Sequence, residues 1–296
     1  MKLKIMLGCA MILSLALTPV SGLTAILETD DGALIYYDVK GKGQPVLFVH
    51  GWTMSSNVWK KQVDALSGQY QVITMDSRGH GNSSKTLNNH QVPRYAKDVR
   101  AVINQLKLKD VVVVGWSLAG PVVLSYWEQF GDDKIKALAL VDMTPFPFSP
   151  ETWNTHGLKN YNYDGMNKIF IAFAEDRRNI GTGAVKKMFK DGEPSKEDLE
   201  WAVNEHLKTP TPIAIAIYSD YLIRDFSSVL KTITVPTIVF SANSLLFKQS
   251  IDMGKWTSRQ IPNAKFVPFD DAGHFLFYEK HEKFNKVLAE FIDALK

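Results

Sequence analysis

Only one cysteine, Cys9, occurs in the 296 residues, and it falls in a segment expected to be removed. The mature chain should therefore hold neither a disulfide framework nor a cysteine metal site, and core packing alone must stabilise it. A dense run of lysine or arginine is also missing. The formal charge of +3 falls to about +1 once Lys2 and Lys4 are discounted, so no basic surface is expected that could neutralise a row of phosphates, and no nucleic-acid partner. There is no G-x-G-x-x-G and no Walker loop, which leaves a nucleotide cofactor without support. Low-complexity tracts and internal repeats are absent. What remains is a composition ordinary for a soluble globular protein, 45% hydrophobic and 22% charged.

The N-terminus, MKLKIMLGCAMILSLALTPVSGLTA, places two lysines before an apolar run over residues 5–20, then small residues. That order predicts a secretory signal over residues 1–22, cut after Gly22 or Ala25. The mature protein is then periplasmic or secreted, with no stable membrane anchor. An uncleaved anchor is disfavoured by a run short for a span of ~20 residues. A lipoprotein at Cys9 is disfavoured by the short apolar core ahead of it.

Alternating apolar residues at 25–28 and 34–39, split by Thr29-Asp30-Asp31-Gly32, predict an antiparallel hairpin. Six short Val/Ile/Leu-rich runs follow, at 46–49, 72–75, 111–114, 137–141, 237–240 and 265–268. They alternate little, as parallel strands covered on both faces do. Helical periodicity appears around 95–106, 121–130 and 283–295. Strands alternating with helices predict an α/β fold with a mostly parallel, eight-stranded sheet. Over 146–228 no strand is legible, only helical stretches such as 166–174, 196–207 and 213–223. The expected organisation is a core of residues 23–145 and 229–296, with a helical cap over 146–228 inserted after the sixth strand.

The strongest chemical signal is VVVVGWSLAG at residues 111–120. A buried strand enters Gly115-Trp116-Ser117-Leu118-Ala119 and a helix leaves it. Ser117 is thus presented on a sharp turn, where small residues at 115 and 119 let the backbone pass closely. Free N–H groups at the helix start point to the same place, where an oxyanion can be held. The bare pattern is common by chance; its strand-turn-helix setting gives it weight.

In this stretch, and in three others in the expected order, the chain resembles the α/β-hydrolase family. FVHGWTMSSNVW at 48–59 is similar to the loop after the third strand, MDSRGHGNSS at 75–84 to the turn after the fourth, and DDAGHFLFYEK at 270–280 to the late loop with a catalytic histidine. The resemblance spans residues 25–296 and is nearest to small esterases and cofactor-free perhydrolases, the non-haem haloperoxidases. It implies Ser117 as nucleophile and His274 as the base that takes its proton. It implies the backbone N–H groups of Trp52 and Leu118 as oxyanion hole, and neither a metal nor an organic cofactor. His50 and His80 should organise turns, with His90, His156, His206 and His281 on the surface, on helices or in the insertion.

One part of the family pattern is missing. The usual acid stands about four residues past the seventh strand, where Ser241-Ala242-Asn243-Ser244 offer no carboxylate. Asp142, ending the sixth strand, stands where some relatives, among them a branch of the haloalkane dehalogenases, carry theirs. Asp142 is therefore the expected triad acid, against a reading in which an Asp here is structural, because geometry and not chain position defines a triad. Asp270 and Asp271 are too near His274 in sequence to face its ring correctly, and Asp76 should brace its own loop.

The reading so implied is a serine hydrolase acting on a small or medium uncharged ester or lactone through an acyl-enzyme. Aromatic residues of the insertion, Trp153, Tyr161, Tyr163, Phe170, Phe173 and Trp201, suit such a ligand, although most should pack the cap onto the core. Perhydrolase activity with the same residues stays open as a side reaction. A dehalogenase is disfavoured, since that chemistry needs a carboxylate where Ser117 stands. The alternative from another class is a non-catalytic small-molecule-binding protein on a degenerate hydrolase fold, which only Ser244 supports.

Overall fold

In the computed structural model, which describes residues 22–159 and 163–295, every predicted strand run grows into a strand of one sheet. These are β1 (Leu23–Glu28), β2 (Leu34–Lys40), β3 (Pro45–Val49), β4 (Gln71–Met75), β5 (Val111–Trp116), β6 (Ile135–Val141), β7 (Thr237–Ala242) and β8 (Ala264–Phe269). The sheet order is β1-β2-β4-β3-β5-β6-β7-β8. The β1–β2 and β2–β4 pairs are antiparallel and all others parallel. All of the expected leader but Gly22, including Lys2, Lys4 and Cys9, lies outside the described residues, as does Tyr161.

Parallel neighbours need crossovers, and helices supply most of them. They are α1 (Lys60–Leu66), α2 (Val92–Gln105), α3 (Ala119–Phe130), α4 (Tyr163–Glu175), α5 (Arg177–Met188), α6 (Lys196–Leu207), α7 (Thr211–Ile223), α8 (Ser250–Gln260), α9 (Leu276–Glu279) and α10 (His281–Asp293). No helix among the described residues is long and apolar enough to cross a membrane. The period-two pleat sorts the strand residues into two cores. Val46 and Phe48 of β3 and Val112 and Val114 of β5 pack with Phe284, Leu288 and Ile292 of α10. Leu47, Val49, Val111 and Val113 face the other way, onto Val99, Val102 and Ile103 of α2. Each such burial contributes about 1.5–3 kcal/mol, and together they hold the sheet rigid beneath the loops at its end.

Between β6 and β7 the described residues hold α4 to α7 and no strand. The periodicity reading passes over α5, because Gly181 and Gly183 lower its propensity and its apolar residues are few. The helix forms through its neighbours. Asp176 caps it, accepting the Asn179 N–H at 3.2 Å, and Gly181 makes room for the His206 ring of α6, since a Cβ there would lie 2.4 Å from His206 Nε2. Gly181→Ala should therefore destabilise by ~1–3 kcal/mol through overpacking despite the better helix former. A melting temperature equal to or above wild type would contradict that contact.

His206 is also where these helices meet the loop after β3. Arg177 Nε donates to its Nε2 at 3.1 Å, so its Nδ1–H donates to Thr53 Oγ1 at 2.6 Å. Beside it, Ser55 donates to the buried Glu205 at 2.5 Å and Trp52 Nε1 to Ala214 O at 2.8 Å.

His90, expected on the surface or a helix, is instead buried in the loop before α2, bonded to Tyr95 and to Thr86 O. His156 and His206, both within the insertion, are buried too. Burial is the leading cause that lowers the pKa of His50, His80 and His90, and that brings His156 and His206 down to about 3 from the ordinary 6.5. Below about pH 6.5 the unfolded chain therefore binds protons that the folded chain refuses. Stability should fall as pH drops below 6.5, and for His156 and His206 the loss should continue toward pH 3, by up to about 1.4 kcal/mol per pH unit for each of these two. Thermal melts at pH 7.5, 6 and 4.5 check this; a flat melting temperature across that range would overturn it.

Candidate active site

Strands β3, β5, β6 and β7 are neighbours whose C-terminal ends stand in register through Val49–Gly115, Trp116–Val141 and Val141–Phe240. Their loops converge at one edge, where ligand sites of parallel sheets form. Ser117 leaves β5 at φ +56°, a left-handed conformation that costs about 1–3 kcal/mol and must be held by its surroundings. Its N–H donates to Val141 O at 2.9 Å, and its carbonyl accepts the Gly120 N–H at 2.8 Å. Gly115 is required because a Cβ there would lie 2.6 Å from Ala119 O. Ser117 itself is half-buried and lines a cavity of about 270 Å³.

His274, in the loop between β8 and α9, lines the same cavity. Its ring sits between Trp116 and Phe247, at centroid distances of 5.1 and 4.6 Å. Its backbone is fixed at both ends, the N–H donating to Met188 O at 2.6 Å and the carbonyl accepting from Trp116 Nε1 at 3.1 Å. Nδ1 lies 2.5 Å from Asp142 Oδ2. Asp142 turns out of β6 at φ +44°, with its N–H on Phe240 O at 2.7 Å. Its second oxygen accepts the Ala242 N–H at 3.1 Å and the Ser250 hydroxyl at 2.5 Å.

With Nδ1–H held by the carboxylate, the lone pair of His274 is on Nε2, a buried atom with no hydrogen-bond partner among the described residues. Burying an acceptor unpaired is costly and calls for a reason. Here the reason is the cavity it shares with Ser117. No hydrogen bond joins Nε2 to Ser117 Oγ; such contacts commonly tighten only when substrate is bound.

Sequence reasoning misses Ser250, which stands 108 residues from Asp142 and belongs to no motif. Ser250→Ala removes one of the two donors on Asp142 Oδ1. Given the worth of a hydrogen bond to a charged group, kcat/KM for an ester should fall about tenfold. Unchanged kinetics would show that the donor does not help position the carboxylate.

The loop after β7 does something other than supply an acid. Ser244 N–H donates to Phe247 O, and Ser244 Oγ accepts the Phe247 N–H, both at 3.1 Å. That closed turn sets the Phe247 ring against His274. Asp270 and Asp271 are exposed, the latter pairing with Lys280 and Lys283. Asp76 accepts the N–H groups of Ser56 and Asn82, each at 2.6 Å, and so ties two loops together.

The backbone N–H groups of Trp52 and Leu118 donate to no other described residue, and both residues line the cavity. The Trp52 ring is stacked on Tyr218 and Phe173, at 4.2 and 5.1 Å. No Asp, Glu, Lys or Arg is among the described residues of the wall; Leu158, Ile169, Phe173, Met188, Leu246 and Phe247 make it largely apolar. Of the aromatics singled out in the insertion, Phe173 reaches the cavity, whereas Trp153 and Trp201 stack on Trp256 and Tyr278 of the core.

A family profile for the alpha/beta hydrolase fold matches residues 44–281. A non-heme haloperoxidase from Rhodococcus erythropolis is 26% identical over 285 residues, covering 90% of this chain and 99% of that protein. A bifunctional esterase/perhydrolase from Acinetobacter calcoaceticus is 27% identical over 273 residues, covering 90% and 98%. The structure of an esterase from Exiguobacterium antarcticum superposes with a TM-score of 0.84 at 24% identity, covering 92% of this chain and 100% of that one. The chain belongs to the α/β-hydrolase family, in the branch that holds esterases and non-haem haloperoxidases.

Proposed function

We propose that the protein is an exported serine hydrolase that cleaves small or medium uncharged carboxylic esters or lactones through an acyl-enzyme on Ser117. The observation that carries this reading is the Asp142–His274 bond, which leaves Nε2 unpaired and buried at a cavity lined by Ser117. A serine alcohol is a poor nucleophile unless an imidazole takes its proton as attack proceeds. As Ser117 Oγ bonds to the substrate carbonyl carbon, Nε2 accepts the hydroxyl proton, and Asp142 offsets the imidazolium charge. The carbonyl oxygen, now an oxyanion, accepts the N–H groups of Trp52 and Leu118. On collapse the C–O bond to the leaving alkoxide breaks, and Nε2 returns its proton to that oxygen. Water then gives a proton to Nε2 and attacks the acyl carbon; on the second collapse the bond from that carbon to Ser117 Oγ breaks, Nε2 returns its proton to Oγ, and the acid leaves.

The wall without charged side chains supports the uncharged class, because a carboxylate carried into it would lose its hydration without a cation to offset its charge. Methyl hexanoate and monomethyl adipate differ chiefly in that charge. The neutral ester should have the higher kcat/KM by about 100-fold or more, an expectation set by the cost of desolvating an unpaired carboxylate; equal values would contradict the class. Export rests on the N-terminal pattern. Mass measurement of protein recovered outside the cytoplasm should find a chain beginning at Leu23 or Ile26, and an intact N-terminus would refute it.

A further inference from the structure

Beyond Ser117 and His274, the cavity wall contains a third group able to fix a substrate, the imidazole of His156. It stands in the loop between β6 and α4, which its own side chains hold in shape. Asn154 Nδ2 donates to Pro147 O and Ser149 O, both at 2.8 Å, and Asn154 Oδ1 accepts the His156 N–H at 3.0 Å. Thr155 ties the same loop to Gln249 O at 2.6 Å.

The tautomer follows from one contact. The Leu158 backbone N–H, which can only donate, points at His156 Nδ1 at 3.2 Å. Nδ1 must then carry the lone pair, and the proton of the neutral ring is on Nε2. Nε2–H finds no acceptor among the described residues. Nor is it one of the buried atoms closed off without a partner, so it keeps accessible surface although the residue is only 7% exposed. Its surroundings keep the ring neutral: protonation would break the Leu158 bond, and burial, with His274 as a second cause, holds its pKa down to about 3. The phenyl ring of Phe247 bridges the two histidines, 4.9 Å from His156 and 4.6 Å from His274. A donor of fixed direction therefore stands one ring away from the catalytic base, in an otherwise largely apolar wall.

We infer that His156 Nε2–H is a substrate anchor, and that the preferred substrates are esters or lactones carrying a second neutral oxygen acceptor, a carbonyl or ether oxygen, a few bonds from the scissile carbonyl. This rests on the serine hydrolase reading and narrows it. A site with a buried donor discriminates against an analogue lacking the acceptor, because the donor is then left unpaired. His156 does not touch the reacting atoms; it sets which substrate is held, and in what orientation.

The test compares methyl hexanoate with its 3-oxo, 4-oxo and 5-oxo derivatives, and butyl hexanoate with 2-methoxyethyl hexanoate. These pairs are matched in length, and each ratio is divided by the same pair's ratio in hydroxide hydrolysis, which removes the activation that an oxo or methoxy group gives the ester by itself. Hydrolysis is followed by proton release for wild type, His156→Phe and His156→Gln, and the readout is the ratio of kcat/KM within each matched pair. General loss of activity or of folded protein cancels in that ratio. At least one acceptor-bearing ester should exceed its partner by about tenfold in wild type, the worth of one well-formed neutral hydrogen bond. The ratio should fall to near one in His156→Phe and be largely kept in His156→Gln, whose amide can donate. Should the phenylalanine variant fail to fold, the smaller His156→Leu reads the same ratio. No preference in wild type overturns the inference, and so does a preference that survives in His156→Phe or Leu. Both results leave the hydrolase reading standing. Absence of turnover for every ester, with Ser117 unreactive toward a fluorophosphonate, overturns both.

Discussion

Asp142→Asn should lower kcat/KM for a neutral ester by about 10⁴ while leaving the fold and its melting temperature nearly unchanged. The amide is isosteric and keeps an oxygen for the Ala242 N–H and the Ser250 hydroxyl, which now meet Oδ1. Its NH2 group then faces His274 Nδ1, where the carboxylate oxygen stands 2.5 Å away. Two donors cannot share that contact, so the ring turns to the opposite tautomer and Nε2 acquires the proton. A protonated Nε2 cannot accept from Ser117. The competing view, that this aspartate merely braces the end of β6, makes the opposite forecast of lower stability with the rate per folded molecule retained. Measuring kcat/KM and the melting temperature on the same preparation separates the two.

The second large effect concerns stability and lies at the other side of the sheet. Arg78 is 1% exposed. Its Nε and Nη2 donate to Asp98 at 2.6 and 2.8 Å, and Nη1 to Asp31 at 2.8 Å. This joins the turn of the β1–β2 hairpin to α2. Asp98→Ala leaves the guanidinium buried with half its partners gone, which should cost about 3–5 kcal/mol. For a domain of this size that lowers the melting temperature by about 6–15 °C. The bond to Arg78 is the leading cause holding the Asp31 carboxyl far below its ordinary 3.8. Its contribution is therefore present above about pH 4 and lost as pH falls below that, a window distinct from the histidine losses that begin near 6.5. A melting temperature within 2 °C of wild type would mean the pair contributes nothing net, as many exposed pairs do.

Both effects turn on long-range contacts, and this is where the sequence ceases to be legible. The strands can be read because a strand buried on both faces has to be a Val/Ile/Leu run, and the elbow because a serine at a strand-to-helix turn needs glycine at 115. Asp142 could be singled out only through the lack of an acid near Ser244. Its actual supports, Ser250 and the Ala242 N–H, come from a different strand and helix and leave no local trace. Helix α5 hides because its stability comes from the Asp176 cap and the His206 contact, neither of which produces an apolar stripe. His156 looks like any lone histidine in an aperiodic loop. Its meaning comes from Leu158, which sets the tautomer, and from the cavity wall that it joins.

The central claim is that Ser117 is activated through His274 by an acid standing at the end of β6. A fluorophosphonate reacts covalently with a serine that a working imidazole activates, whatever the natural substrate. Intact-mass measurement over time, on wild type and Asp142→Asn side by side, is therefore the most direct test. One adduct that maps to Ser117, formed rapidly in wild type and slower by orders of magnitude in the variant, is the predicted result. Equal rates in the two proteins, or no adduct on wild type, would contradict it.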